Sequence, residues 1–202
     1  MKTSRQLGQI LRLLAVVSVA ACLVPTSLQA AIFARFEGID GESKDSNHEG
    51  WIDILSIDWG VHRAGGVAPS HASGLGELII GDFMMAMNYD RASPKLADKC
   101  LRGEVIPKLE IELTATYGGS RATYLRYEFR NVIITSYQVN ASGNDEAGPP
   151  TVLVGNNFEE IKVVYTEYDS EGGLKGNVEY EWKVEKGEAA ARVEDADPAE
   201  EP

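Results

Sequence analysis

Hydrophobic and polar residues alternate with a period of two along most of the chain, the signature of half-buried strands. In "NVEYEWKVEK" (177–186), Val178, Tyr180, Trp182 and Val184 alternate with Glu179, Glu181, Lys183 and Glu185. "YLRYEFRNVII" (124–134) sets Leu125, Tyr127 and Phe129 against Arg126, Glu128 and Arg130, and "KLEIELTATY" (108–117) sets Leu109, Ile111 and Leu113 against Glu110, Glu112 and Thr114. "EEIKVVYTEY" (159–168) and "IFARFEGI" (32–39) read as further strands, and "LGELIIGDFMMAMNY" (75–89) as one long or bent strand with a bulge at Gly81. In "WIDILSIDWG" (51–60), Trp51, Asp53, Leu55, Ile57 and Trp59 share one face, with Ile52, Ile54 and Ser56 on the other. Both faces then carry apolar residues, as in a barrel with something packed outside it.

A single helix interrupts this pattern. In "ASPKLADKCLRG" (92–103), Ser93 is placed to cap, Pro94 occupies the first helical position, and Leu96, Cys100 and Leu101 form an apolar stripe. Gly103 is placed to close the helix in a left-handed cap. Many antiparallel strands and one short helix predict a mainly β fold, a barrel or sandwich with the helix against it. No internal repeat is visible. "SEGG" (170–173) and "SGNDEAGPP" (142–150) read as a turn and a loop.

The ends do not share the pattern. Lys2, Arg5 and Arg12 precede the apolar run "LLAVVSVAACLV" (13–24), which is too short to span a bilayer, since spanning takes about 20 residues. The run fits the core of a secretory signal peptide, with cleavage between Ala30 and Ala31. "VAAC" (19–22) offers a competing lipobox that would lipidate Cys22, although Leu23 and Val24 carry the apolar run past it. A cytosolic chain with a hydrophobic start is the third reading. At the other end, "GEAAARVEDADPAEEP" (187–202) is acidic and lacks aromatic residues, which predicts a solvated tail. The expected domain therefore runs over 31–186, exported to the periplasm or beyond, with no stable membrane span.

Charge narrows the partners. The 202-residue chain carries a net charge of −12, and removal of the leader takes away three cations and no anion. Nucleic acid, which demands a basic footprint, is excluded as a partner class. With Cys22 removed, Cys100 stands alone, so stability must come from a core without a disulfide, and Cys100 reads as a small buried hydrophobe.

Candidate chemistry is sparse. His62 and His71 lie in the glycine-rich "VHRAGGVAPSHASGLG" (61–76) with no carboxylate between them, and read as surface histidines. Asp40, Glu42, Asp45, Asn47 and Glu49 supply oxygens but lack the D-x-[DN]-x-[DN]-G order of a calcium loop. No G-x-S-x-G, phosphate loop or selected carboxylate pair occurs. The chain reads as a non-enzyme without a cofactor or metal.

One set of ordered motifs carries a resemblance. "FEGIDGESKDSNHEGWIDILSIDWG" (36–60) resembles the opening of the Hcp family, the tube protein of type VI secretion, in which G-E-S-x-D-x-x-H runs into W-I-D-[IV]-L-S-x-x-W-G. "DRASPKLADKC" (90–100) resembles that family's D-x-A-S-P-K-L helix, and 158–186 resembles its closing strands. The resemblance implies a β-barrel of antiparallel strands with one flanking short helix. It also implies a homo-oligomer, a six-membered ring that stacks into a tube carrying effector proteins. Trp51, Asp53, Trp59, Ser93, Pro94 and Trp182 would then be structural. Residues 41–50 would be a surface loop, and 62–77, with His62, Gly65, Gly66, His71 and Gly74, a protruding loop that helps rings to stack. The alternative function is a monomeric exported binding module that keeps the barrel and has lost assembly.

Overall fold

The computed structural model describes residues 30–63, 76–143, 148–184 and 188–190. Its strands are β1 (Ala31–Phe36), β2 (Ile52–Asp58), β3 (Val61–Arg63), β4 (Leu78–Ile80), β5 (Phe83–Asn88), β6 (Ile106–Tyr117), β7 (Ser120–Asn140), β8 (Thr151–Asn157), β9 (Glu160–Tyr168), β10 (Leu174–Lys183) and β11 (Glu188–Ala190). The helix α1 (Ser93–Arg102) lies between β5 and β6.

The main sheet runs β11-β10-β9-β7-β6-β1-β2-β5-β8, and β8 also pairs with β7. That last pairing closes β7-β6-β1-β2-β5-β8 into a six-stranded antiparallel barrel. The fold class is therefore the mainly β barrel with one helix that the alternation predicts. Closure removes sheet edges that would otherwise invite aggregation. β7 is long enough to serve two sheets. Its first half pairs with β6 and β9, and its second half with β8. β9 and β10 therefore leave the barrel as a flange.

Phe36, Ile52, Phe83, Met85, Met87, Leu109, Ile111, Phe129, Val132, Val152 and Val154 fill the interior. Where strands bulge, the inward parity slips by one, because side chains alternate strictly. On β2 a register shift at Leu55 follows inward Ile52 and Ile54, after which Ile57 and Trp59 pack on the core. Leu55 is left 54% exposed, so the single face expected from Trp51 to Trp59 is broken. On β7 a register shift at Thr135 follows inward Ile134, after which Tyr137 packs on the core.

Three sequence expectations are corrected. The segment 75–89 is two strands in two sheets, because β4 pairs with β3 as a hairpin while β5 joins the barrel. Ser93 is not the cap. Ala92 holds that position, and the Asp90 carboxylate accepts from the Ala92 and Ser93 backbone N–H groups, at 2.9 and 3.2 Å. Ser93 Oγ in return accepts from the Asp90 N–H. Leu101 is 87% exposed, so the buried stripe of α1 is Leu96 with partly buried Cys100. Pro94 and the left-handed Gly103 (φ 61°) stand as expected. β11 continues ordered backbone to Ala190, three residues of strand within the segment read as tail. No described helix is long and apolar enough to cross a membrane.

Candidate functional site

The motif Gly41–His48 builds a cap over the outside of the barrel. Its backbone is stapled to itself: Gly41 N–H donates to Gly50 O at 2.8 Å, Ser43 N–H to Trp51 O at 2.9 Å, and Gly50 N–H to Ser43 O at 3.0 Å. Gly41 must be glycine, since a Cβ there would collide with the Trp51 carbonyl. The Glu42 carboxylate accepts from the Arg91 N–H, tying the loop to the approach of α1.

His48 is the centre of this cap. Its side chain is 4% exposed and stacks on Phe33, with ring centroids 4.1 Å apart, while Trp51 meets it edge-on at 5.0 Å. Nδ1 lies 2.9 Å from Asp45 Oδ1, and Nε2 lies 3.0 Å from Glu112 Oε2 on β6. Asp45 also accepts from Arg121 and from the Asn47 N–H. The hydrogen bond with His48 is the main cause holding its carboxyl below the usual range. Glu112 also accepts from Thr123 Oγ1 at 2.7 Å and pairs with Arg126 at 2.7 Å. Burial pushes Glu112 up, but the His48 and Thr123 hydrogen bonds and the Arg126 charge bring it below its ordinary value. Residues 41–50 are thus no free surface loop. His48 and Ser43 are buried, and the expected wet face of β6 is covered at Glu112 and Thr114. Enclosed as it is, the His48 ring has no face open to a substrate.

The second feature is the flange. On its outer face the cross-strand rows read Glu112–Arg126–Val164–Glu179, Glu110–Glu128–Lys162–Glu181 and Lys108–Arg130–Glu160–Lys183. These charges pair across strands, as Lys108 does with Glu110 and Glu128, Lys162 with Glu179, and Lys183 with Glu160. On the inner face the rows are apolar: Leu113–Leu125–Tyr165–Val178, Ile111–Tyr127–Val163–Tyr180 and Leu109–Phe129–Ile161–Trp182. Burial fades along them away from the barrel. Ile161 and Val163 are buried, whereas Tyr165, Tyr180 and Val178 are 47%, 49% and 65% exposed. The alternation predicted for β10 is present, but its apolar side is open.

Beside this face, Trp59, Val61, Leu78, Ile80, Phe158 and Trp182 line an apolar groove against the β3–β4 hairpin. Trp59 Nε1–H donates to Gly81 O at 3.0 Å, while Trp182 Nε1 is buried without a partner among the described residues. At the other end of the sheet order the barrel wall is also short of charge. One outward row, Ser56–Ala86–Leu153–Gln138, crosses β2, β5, β8 and β7 with no charged residue. Exposed Leu55 sits beside it.

The family-motif residues divide between these features. Trp51 is buried in the cap, under Arg35 at 4.7 Å. Asp53 is exposed on β2, Trp59 and Trp182 line the groove, and Ser93 and Pro94 start α1. His62 is exposed on β3. Gly65, Gly66, His71, Gly74 and Cys22 lie outside the described residues. Ala30 is exposed and Ala31 opens β1. Sequence reasoning missed the pairing of His48 with Glu112. The signal for it was a histidine beside acids in one motif, but its second partner is 64 positions away.

Comparison with known proteins gives a consistent picture. The profile of the family described as "Type VI secretion system effector, Hcp" matches residues 33–170. The protein Hcp1 of Pseudomonas aeruginosa is 25% identical over 154 residues, covering 76% of this chain and 94% of its own. The crystal structure of Hcp1 from Salmonella typhimurium superposes with a TM-score of 0.64 at 25% identity, over 80% of this chain and 99% of that one. A type VI secretion system effector from Yersinia pestis gives 0.61 at 25% identity, over 76% and 99%. A further type six secretion system protein, 24% identical, shares the fold with a TM-score of 0.72 over 80% of this chain.

Proposed function

Because the chain belongs to the Hcp family of type VI secretion system effectors, we propose that it is a structural component that self-associates into closed rings, six chains to a ring, through which effector proteins pass or to which they bind. The observation that carries this reading is the pair of unlike, uncharged surfaces at the two ends of the sheet order. One is the open apolar face of the flange at Tyr165, Val178 and Tyr180, and the other is the barrel-wall row at Ala86 and Leu153, beside exposed Leu55. A contact between two different patches is heterologous, and repeated around a rotation axis it closes a ring. Exposed apolar area of this kind on a soluble domain marks an interaction surface. The charge-laced outer face supports the same geometry, since it keeps the reverse side of the flange in water.

The apolar run at 13–24 supports export, with cleavage after Ala30, and β1 begins at the next residue. The domain then begins at Ala31. Light scattering of the purified protein across a concentration series tests the assembly. A particle of about six chains that persists on dilution is the expected result. A single chain at every concentration overturns the ring and leaves the monomeric binding module as the function.

A further inference from the structure

The His48 cluster has an arrangement of its own. Both nitrogens of one nearly buried imidazole face carboxylate oxygens, Asp45 Oδ1 at 2.9 Å and Glu112 Oε2 at 3.0 Å. A neutral imidazole has one N–H, and its other nitrogen is an acceptor. Only the protonated ring donates to both carboxylates. In the neutral ring, one lone pair faces an anionic oxygen at hydrogen-bond distance inside a water-poor pocket, where such a mismatch is costly.

The two contacts do different jobs. Asp45 and His48 lie in the same loop, so their contact shapes the loop internally. Glu112 lies on β6, so the second contact joins the loop to the barrel wall. The charged groups around the ring come from each element packed there: Asp45 in the loop, Glu112 on β6, Arg121 and Arg126 on β7, and Arg35 of β1 across the Trp51 ring. The arginines keep both carboxylates paired when the ring is neutral, so loss of the proton does not leave a buried anion unsupported. Arg121 and the stack on Phe33 also remain. What is lost is one of the staples, not the fold.

We propose that His48 is a proton-operated latch: the protonated ring donates to Asp45 and Glu112 together and so pins Ser43–Gly50 to the barrel, and loss of its proton strips one of these two contacts of its hydrogen bond and loosens the segment. The latch acts within one chain, whether or not rings form.

The test is ¹⁵N NMR of the imidazole in the whole protein, with amide hydrogen exchange, from about pH 5 to 9, a range that brackets ordinary histidine titration. On the acid side both ring nitrogens should show the shifts of protonated sites. As one becomes bare, exchange at Gly50 and Trp51, corrected for its intrinsic pH dependence, should rise about tenfold, the equivalent of one lost hydrogen bond. In His48→Gln the same amides should exchange faster throughout, with that step gone. The proposal is overturned if the ring is neutral at the acid end or stays doubly protonated to the alkaline end. Unchanged loop protection as the proton leaves, or the same step in His48→Gln, also overturns it.

Discussion

Replacing Tyr180 by glutamate is the sharpest test of the flange. Tyr180 sits in the middle apolar row, next to Val163, half exposed at 49% and half buried within the chain. An aromatic side chain offers about 200 Å², of which roughly half is still open here. At about 25 cal/mol per Å², covering that half in a ring contributes about 2.5 kcal/mol per contact. Removing it weakens each contact about 60-fold, since 1.4 kcal/mol is a factor of ten. The desolvation of a new carboxylate in an apolar interface adds to this loss. Within the monomer, loss of the half that the chain already buries should cost a similar amount, about 2–3 kcal/mol. Light scattering should therefore show single chains at concentrations where the parent protein is expected to form rings, while thermal unfolding shows the variant monomer still folded cooperatively, with its Tm roughly 5–10 °C below a dissociated parent control. Rings of undiminished stability in Tyr180→Glu would refute the assignment of this face to the interface.

Other perturbations test the scaffold. Leu96→Ala removes the fully buried anchor of α1 and should cost about 3 kcal/mol, lowering Tm by roughly 6–12 °C in calorimetry. Gly118→Ala puts a side chain at φ 54° against the Glu171 carbonyl, in the turn joining β6 to β7. It should cost about 2 kcal/mol in urea unfolding, while Gly143→Ala, which meets no neighbouring atom, should leave the midpoint unchanged. Asp45 and Glu112 have folded pKa values below their ordinary 3.8 and 4.5. Their contribution is therefore complete above those values and is lost as pH falls through the lower folded ones. Denaturant midpoints should drop as the pH goes below about 4, and Glu112→Gln should flatten that drop.

Much of this fold is legible in the sequence because period-two alternation is a local property. The strands at 108–117, 124–134, 159–168 and 177–186 need only neighbouring residues to declare themselves, and so does the stop of α1 at Gly103. Bulges are less visible. One extra residue at Leu55 or Thr135 shifts the inward parity, and nothing in the side-chain order announces it. Alternation also cannot say whether an apolar face is covered. Phe129 and Tyr180 look alike in sequence, yet the first lies inside the barrel and the second outside it, because the strand order places β10 beyond the closed wall. The His48 cap was hidden for a related reason. A polar loop reads as solvated until Glu112, Arg121 and Thr123 are folded against it.

β7 has a mechanical consequence. One continuous strand of 21 residues is both the seam that closes the barrel and the root of the flange. A push or pull on the flange enters the barrel through covalent backbone, and is shared by the ladders to β6, β8 and β9 at once. The flange thus has no linker at which to swing, and the turn of the strand at Asn131 is set inside paired backbone. A chain built this way moves as a stiff body, and force that reaches its outer sheet is borne by its core.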